Sequence, residues 1–170
     1  MQGGEGGGEW TRVELVDGCC GYIRSSLLGD LLTAPPNLPE DDLRQRIIGA
    51  AMLYQNSQYR WGGKTPLGID CSGLVSMAYL LNGITIYRDA DLRAGFDLVE
   101  IDRDEIKPGD AIFFPGHVAL FLGGGRYLHA TGRSGSDGVT VNTLEPNDPL
   151  YREDLAQRIL RVGSYRGFHR

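Results

Sequence analysis

The spacing of apolar residues changes character along the chain. Residues 10–28 (WTRVELVDGCCGYIRSSLL) place β-branched and aromatic residues on both sides of an Asp17-Gly18 turn signal, predicting strands Trp10–Val16 and Gly21–Ser25. A hairpin of that size does not fold alone, so it packs on something else or is the remainder of a larger unit. Residues 29–39 contain Pro35, Pro36 and Pro39 and read as a linker. Pro39 suits a first helical turn, and Glu40, Asp41 and Asp42 favour the positive end of a helix. Leu43, Ile47, Ala50, Ala51 and Tyr54 then recur at i, i+4, i+7, i+8 and i+11, the buried stripe of an amphipathic helix.

Residues 55–70 are glycine-rich and irregular. A second helix is expected over Cys71–Leu81, with Leu74, Val75, Ala78 and Leu81 inward and Asn82-Gly83 as its stop. The turn KPGD (107–110) leads into strand Ala111–Phe114, and HVALFL, a glycine turn and RYLHA read as a hairpin. Asp137-Gly138 turns into Val139–Val141, Arg152–Gln157 is helical, and Ile159–Val162 forms a last strand. Helices first and an antiparallel sheet later indicate an α+β fold. There is no internal repeat.

Composition narrows the function classes. The net charge is −5 and no Lys/Arg cluster exceeds a dipeptide, which argues against nucleic acid and anionic membrane surfaces as partners. No apolar run approaches the ~20 residues of a membrane span. MQGGEGGGEW lacks a basic flank and an apolar core, so residues 1–9 read as a flexible tail and not as a signal peptide. The three cysteines, Cys19, Cys20 and Cys71, match no zinc spacing, and an adjacent pair rarely bridges itself.

Candidate chemistry centres on GIDCSGL (68–74). Cys71 follows a glycine loop and begins an apolar helix, whose unpaired N–H groups and partial positive charge would pull a thiol pKa down. Asp70 is placed to cap that end. On position alone, Cys71 reads equally as a nucleophile or as a buried thiol packing like alanine. A cysteine nucleophile needs a general base, and His117 and His129 are the informative histidines. If the glycine turn centres on Gly123, residues summing to 246 pair across the hairpin. The two rings are then direct neighbours, about 4.5–5.5 Å apart at Cβ. A one-residue slip would separate them onto opposite faces.

This trio fits nucleophile, base and orienter. It could also be a satisfied core pair beside a packed thiol. As a metal site it lacks the carboxylate or further His that a hydrolytic zinc site usually includes. An oxyanion needs donors, for which the Cys71 N–H and the Tyr59 hydroxyl are candidates.

YRWGG (59–63), DCSGL (70–74), PGD (108–110), GHVAL (116–120) and YLHA (127–130) occur in this order. Together they resemble the NlpC-type cell-wall cysteine peptidases over roughly residues 40–165. The resemblance implies a circularly permuted papain-like fold, with helices packed on an antiparallel sheet, over residues 40–170. It implies Cys71 as nucleophile, His117 as base, His129 as the polar third member and Tyr59 as oxyanion helper. It also implies substrate contacts from Asp70, Ser72, Trp61, Arg88 and Asp89, the last two in IYRDA (86–90), although Arg88 and Asp89 read equally as a surface ion pair.

GKTPLGIDCSGL with IYRDA is most similar to the branch that cuts the γ-D-glutamyl–diamino-acid bond of peptidoglycan stem peptides. Residues 10–28 resemble the closing hairpin of a bacterial SH3-like domain, here without its upstream strands. The resemblance implies a monomer that acts on peptidoglycan peptides without metal or organic cofactor. Its compartment, cell wall or cytoplasmic recycling, is left open. Amidase or acyltransferase chemistry on the same fold, or an inactive wall-binding module, are the alternatives.

Overall fold

Asp17 accepts the Cys19 N–H at 2.9 Å and so tightens the turn between two antiparallel strands, β1 (Trp10–Glu14) and β2 (Cys20–Arg24). The structure, a computed structural model, describes residues 8–15, 17–29 and 32–169. Val16, expected to end the first strand, residues 1–7 of the expected tail and residues 30–31 of the expected linker lie outside the described residues. The chain divides into two compact units, Met1–Leu31 and Leu32–Arg170. In the first, β2 starts one residue earlier than expected, and both Cys19 and Cys20 are free and exposed.

The second unit opens with helix α1 (Glu40–Met52), which follows Pro39 and has its three acids in the first turn. Leu43, Ile47, Ala51 and Tyr54 are buried as the stripe requires. Arg44 is buried beside them, bonded to Glu40 and Asp110 at 2.8 Å each and to the Pro108 carbonyl at 3.0 Å. A short strand pair, β3 (Lys64–Thr65) and β4 (Gly68–Ile69), stands inside the segment expected to be irregular. Helix α2 (Cys71–Leu80) is buried on almost every side, with Leu74, Val75, Ala78 and Tyr79 in the core. Leu81, expected inward, is 44% exposed because the helix ends at Leu80 and Leu81 becomes its cap.

The rest is one six-stranded antiparallel sheet. Its strands are β5 (Leu98–Ile101), β6 (Ala111–Phe114), β7 (His117–Gly123), β8 (Arg126–Thr131), β9 (Gly138–Thr143) and β10 (Arg161–Tyr165), in the order β5-β10-β6-β7-β8-β9. A four-residue helix, α3 (Glu153–Ala156), precedes β10. β5 was not expected; it is short and interrupted by Glu100, so its period is faint. β10 begins two residues later than its apolar run suggests, since it pairs through Arg161–Tyr165 with both β5 and β6.

Alternation divides the sheet into two faces. Ala111, Phe113, Val118, Leu120, Leu128, Ala130 and Val139 join the helices in the main core. Ile112, Phe114, Ala119, Phe121 and Tyr127 form a second core with Leu155 and Ile159. His117 and His129 belong by alternation to the second face.

The β7–β8 register differs from the expectation. Gly124 and Gly125 form the two-residue turn, with φ of 56° and 74°, and Leu120 pairs with Leu128 and Phe121 with Tyr127. Pairs therefore sum to 248 and not 246, with an irregularity between Phe121 and Gly123. His129 thus lies opposite Ala119, and His117 is its diagonal neighbour. The slip is two residues, so the shared face survives.

Candidate active site

Three segments converge at the start of α2. The first is the α2 N-terminus itself. Asp70 is its N-cap, accepting the Gly73 N–H at 2.6 Å. The second is the YRWGG loop, which packs against that turn. A Cβ at Gly73 would collide with the Gly63 carbonyl, so only glycine allows this approach. The third is the β7 start, where the N–H of Val118 points at the Cys71 thiol.

Cys71 is buried in the main core, at the helix end the sequence predicts. The expected depression of its thiol pKa is not what the site produces. Burial pushes the thiol up, Asp70 adds to this, and the N–H groups of Val118, Ser72 and Cys71 itself pull the other way without prevailing. Tyr59 is half-buried near Cys71 and Asp70, its ring against Gly132, and burial with these neighbours raises its hydroxyl pKa.

His117 and His129 are in direct contact, Nε2 of one 2.8 Å from Nδ1 of the other, with rings nearly perpendicular at 83°. Burial lowers His117 to about 3, with His129 and Arg152 adding to it. Burial likewise lowers His129 to about 4, against the opposing effect of its hydrogen bond to Asn142 Oδ1 at 2.8 Å. A raised thiol and lowered imidazoles mean that all three groups are neutral at pH 7. None of the hydrogen bonds among the described residues joins His117 to Cys71; the thiol reaches the backbone of the next residue, Val118.

The other expected site residues separate into two groups. Asp70, Ser72 and Arg88 form one cluster. Arg88 bonds Asp70 Oδ1 at 3.1 Å, Asp70 Oδ2 at 3.0 Å and the Ser72 hydroxyl at 2.7 Å, and also donates to the Gly63 carbonyl at 3.3 Å. Asp70 Oδ2 also accepts the Gly62 N–H at 2.7 Å, tying the YRWGG loop to the helix. Burial pushes the Asp70 carboxyl up, but Arg88 and the two N–H donors outweigh it and hold the carboxyl below its usual range.

Asp89 is exposed and makes no salt bridge among the described residues, so it is not the Arg88 partner that an ion-pair reading supposes; that partner is Asp70. Asp89 instead lines, with Ser72, a small recess floored by Val75, Ile86, Phe113 and Val118. Trp61 is 85% exposed and packs into no core cluster. Asn142 went unnoticed in the sequence, because the strand was ended at Val141. The available signal was parity: Val139 and Val141 turn to the main core, which puts Asn142 with Thr140 on the opposite β9 face, the one paired with Tyr127 and His129. Among the described residues no three His, Cys, Asp or Glu side chains converge as metal ligands would.

Helices beside an antiparallel sheet, with a cysteine as first residue of a helix at the sheet end that carries a histidine pair, define a cysteine-hydrolase type of site. The family model described as NlpC/P60 matches residues 56–157, and the chain belongs to the NlpC/P60 family. It is 50% identical over 155 residues to dipeptidyl-peptidase 6 of Lysinibacillus sphaericus, covering 91% of this chain and 56% of that protein. It is 30% identical over 150 residues to the gamma-D-glutamyl-L-lysine dipeptidyl-peptidase of Bacillus subtilis, covering 79% of this chain and 48% of that one. The chain thus spans about half the length of these relatives.

Among solved structures, an NlpC/P60 family protein of Bacillus cereus superposes with a TM-score of 0.67 at 25% identity, over 95% of this chain and 52% of that one. The NlpC/p60 domain of the peptidoglycan hydrolase SagA gives 0.54 at 27% identity, over 71% of this chain and 97% of that one. The α+β fold expected from the sequence is thus that of NlpC/P60 structures.

Proposed function

We propose that this chain is a cysteine endopeptidase hydrolysing the γ-D-glutamyl–diamino-acid bond of peptidoglycan stem peptides. The observation that carries the reading is the Cys71 thiol in the first turn of α2, held at the β7 start, where His117 and His129 are in contact at 2.8 Å. The likeness to the gamma-D-glutamyl-L-lysine dipeptidyl-peptidase of Bacillus subtilis supports the choice of bond. Cys71 Sγ attacks the γ-carbonyl carbon while its proton passes to His117. The Cys71 N–H and the Tyr59 hydroxyl hold the oxyanion. The tetrahedral intermediate collapses, His117 gives its proton to the departing amine, and a thioester remains. Water, deprotonated by His117, then releases the glutamyl carboxylate and restores the thiol. His129 orients His117 throughout, and no metal or organic cofactor takes part.

In this reading Asp70 and Arg88 serve the substrate by fixing the cleft, while Ser72, Asp89 and Trp61 touch it. Residues 10–28 are a partial SH3-like hairpin, 29–39 a linker, and 40–170 a circularly permuted papain-like catalytic domain. Support comes from the division of the chain near Leu31 and from the helix-then-sheet order of the second unit. The protein works as a monomer on free or wall-borne peptides and not on nucleic acid or membranes. No helix among the described residues is long and apolar enough to cross a membrane.

The test is incubation with L-Ala-γ-D-Glu-diaminopimelate and with its lysine counterpart, following release of the diamino acid. Release by the wild type and none by Cys71→Ala is expected. A folded, fully reduced protein that releases neither amino acid overturns the proposal.

A further inference from the structure

The contacts from Leu150 to His117 form a hydrogen-bonded chain whose direction can be read from its far end. Asn142 Nδ2 lies 2.7 Å from the Leu150 carbonyl oxygen. A carbonyl has no proton to give, so the amide must present its NH2 there and its oxygen to His129. Oδ1 only accepts, so His129 Nε2, 2.8 Å away, carries that ring's proton. In a neutral ring the other nitrogen is then a lone pair. His117 Nε2, at 2.8 Å from it, must therefore be the donor. This leaves Nδ1 of His117 unprotonated and free to take a proton.

We propose that Asn142, anchored on the Leu150 carbonyl, is a positioning residue that holds both histidines as Nε2–H tautomers and so makes Nδ1 of His117 the basic nitrogen. The functional part rests on the reading of His117 as the general base. The anchor itself is fixed. The Leu150 carbonyl also accepts the Thr143 N–H at 3.2 Å, and Thr143 bridges to Tyr151. Asn142 is buried, so water does not compete for its amide.

The charged and titratable groups facing the pair come from two elements: Tyr127 on β8, and Arg152 and Asp154 at the start of α3. Arg152 opposes protonation of both rings and Asp154 favours it. Burial dominates, and the neutral rings that the derivation requires persist at pH 7. When Nδ1 of His117 accepts the thiol proton, the ring still donates through Nε2 to a lone pair on His129. A His129 flipped to the Nδ1–H form would instead set two N–H groups against each other.

The test is long-range 15N–1H NMR of the imidazoles at pH 7, with the exposed His169 as reference. His117 and His129 are both expected as Nε2–H. Asn142→Leu, close in size, should return a tautomer mixture at His129 and lower kcat/KM about tenfold, the scale of one lost hydrogen bond. Asn142→Asp keeps an acceptor toward His129 and should keep the Nε2–H pattern, which separates the acceptor's role from packing. A protonated Nδ1 on wild-type His117, or an unchanged pattern in Asn142→Leu, overturns the proposal. Stated tautomers in a wild type that cleaves no muropeptide overturn the peptidase reading instead, and the ring assignment stands.

Discussion

Cys71 lies between two polar clusters built on opposite plans. On one side Asp70 is charged and saturated, taking bonds from Gly62, Gly73, Ser72 and both Nη atoms of Arg88. On the other side His117, His129 and Asn142 are neutral and joined by single bonds. An ion whose lone pairs are all occupied can hold geometry but has little left with which to bind a ligand. A neutral chain ending in a free nitrogen can move a proton and return it. The same burial therefore serves two ends, fixing a helix mouth on one side and keeping the proposed base uncharged on the other.

The largest effects should follow from breaking the proton path. If Cys71 and His117 are nucleophile and base as proposed, Cys71→Ala or His117→Ala should each reduce turnover by at least ~10³, because such groups act as a unit. Cys71→Ala should cost only about 1 kcal/mol of stability, the scale of one small buried group. A Cys71→Ala enzyme retaining turnover within tenfold would break the assignment of the two sides.

Next in size is Asp70→Ala, which strands Arg88 and two backbone N–H groups and removes the α2 cap. It should cost about 3 kcal/mol in denaturant unfolding. Asp70→Ala with Arg88→Leu should cost less than the sum of the two single changes. If Asp70→Ala leaves stability intact and only raises KM, Asp70 is a substrate ligand and the contrast drawn above fails.

Both clusters were only partly legible in the sequence. The helix-start position of Cys71 and the capping role of Asp70 follow from local chemistry, which one stretch of chain contains. The shared face of His117 and His129 survived a wrong register because the pairing slipped by two residues, keeping parity. Asn142 was missed because the strand was ended at Val141, and its link to the Leu150 carbonyl is a loop contact that no periodicity encodes. The direction of the Cys71 shift was misjudged for a related reason. A helix end acts locally, whereas the burial that overrides it comes from the sheet packed against it. Arg44 is the counterpart in the fold, a charge on a buried stripe whose partner Asp110 lies far along the chain.

Titration separates the two sides by pH. Both histidines have folded pKa values, about 3 and about 4, below the unfolded 6.5, so the unfolded chain binds more protons across that interval. Their contribution is complete above pH 6.5 and is lost as pH falls toward 4. The Asp70 carboxyl is depressed from 3.8, so its contribution is lost only on falling below that value. Stability measured from pH 7 to 4 should therefore decline in wild type. It should decline less in His117→Gln and unchanged in Asp70→Asn. A flat wild-type profile over that interval would mean that the histidines are already solvated.

The smallest effect tests which loop residue meets substrate. Tyr59 and Trp61 are two residues apart, yet Tyr59 lies in the site with its ring on Gly132 while Trp61 is 85% exposed. Nothing in the core depends on Trp61, so Trp61→Ala should change stability by less than about 0.5 kcal/mol. If its indole walls the cleft, the lost contact is present in ground and transition states alike, and KM should rise with kcat unchanged. Tyr59→Phe should do the opposite, lowering kcat with little change in KM, because an oxyanion exists only once attack has begun. Equal behaviour of the two variants would erase the distinction between a wall and an oxyanion donor within one pentapeptide.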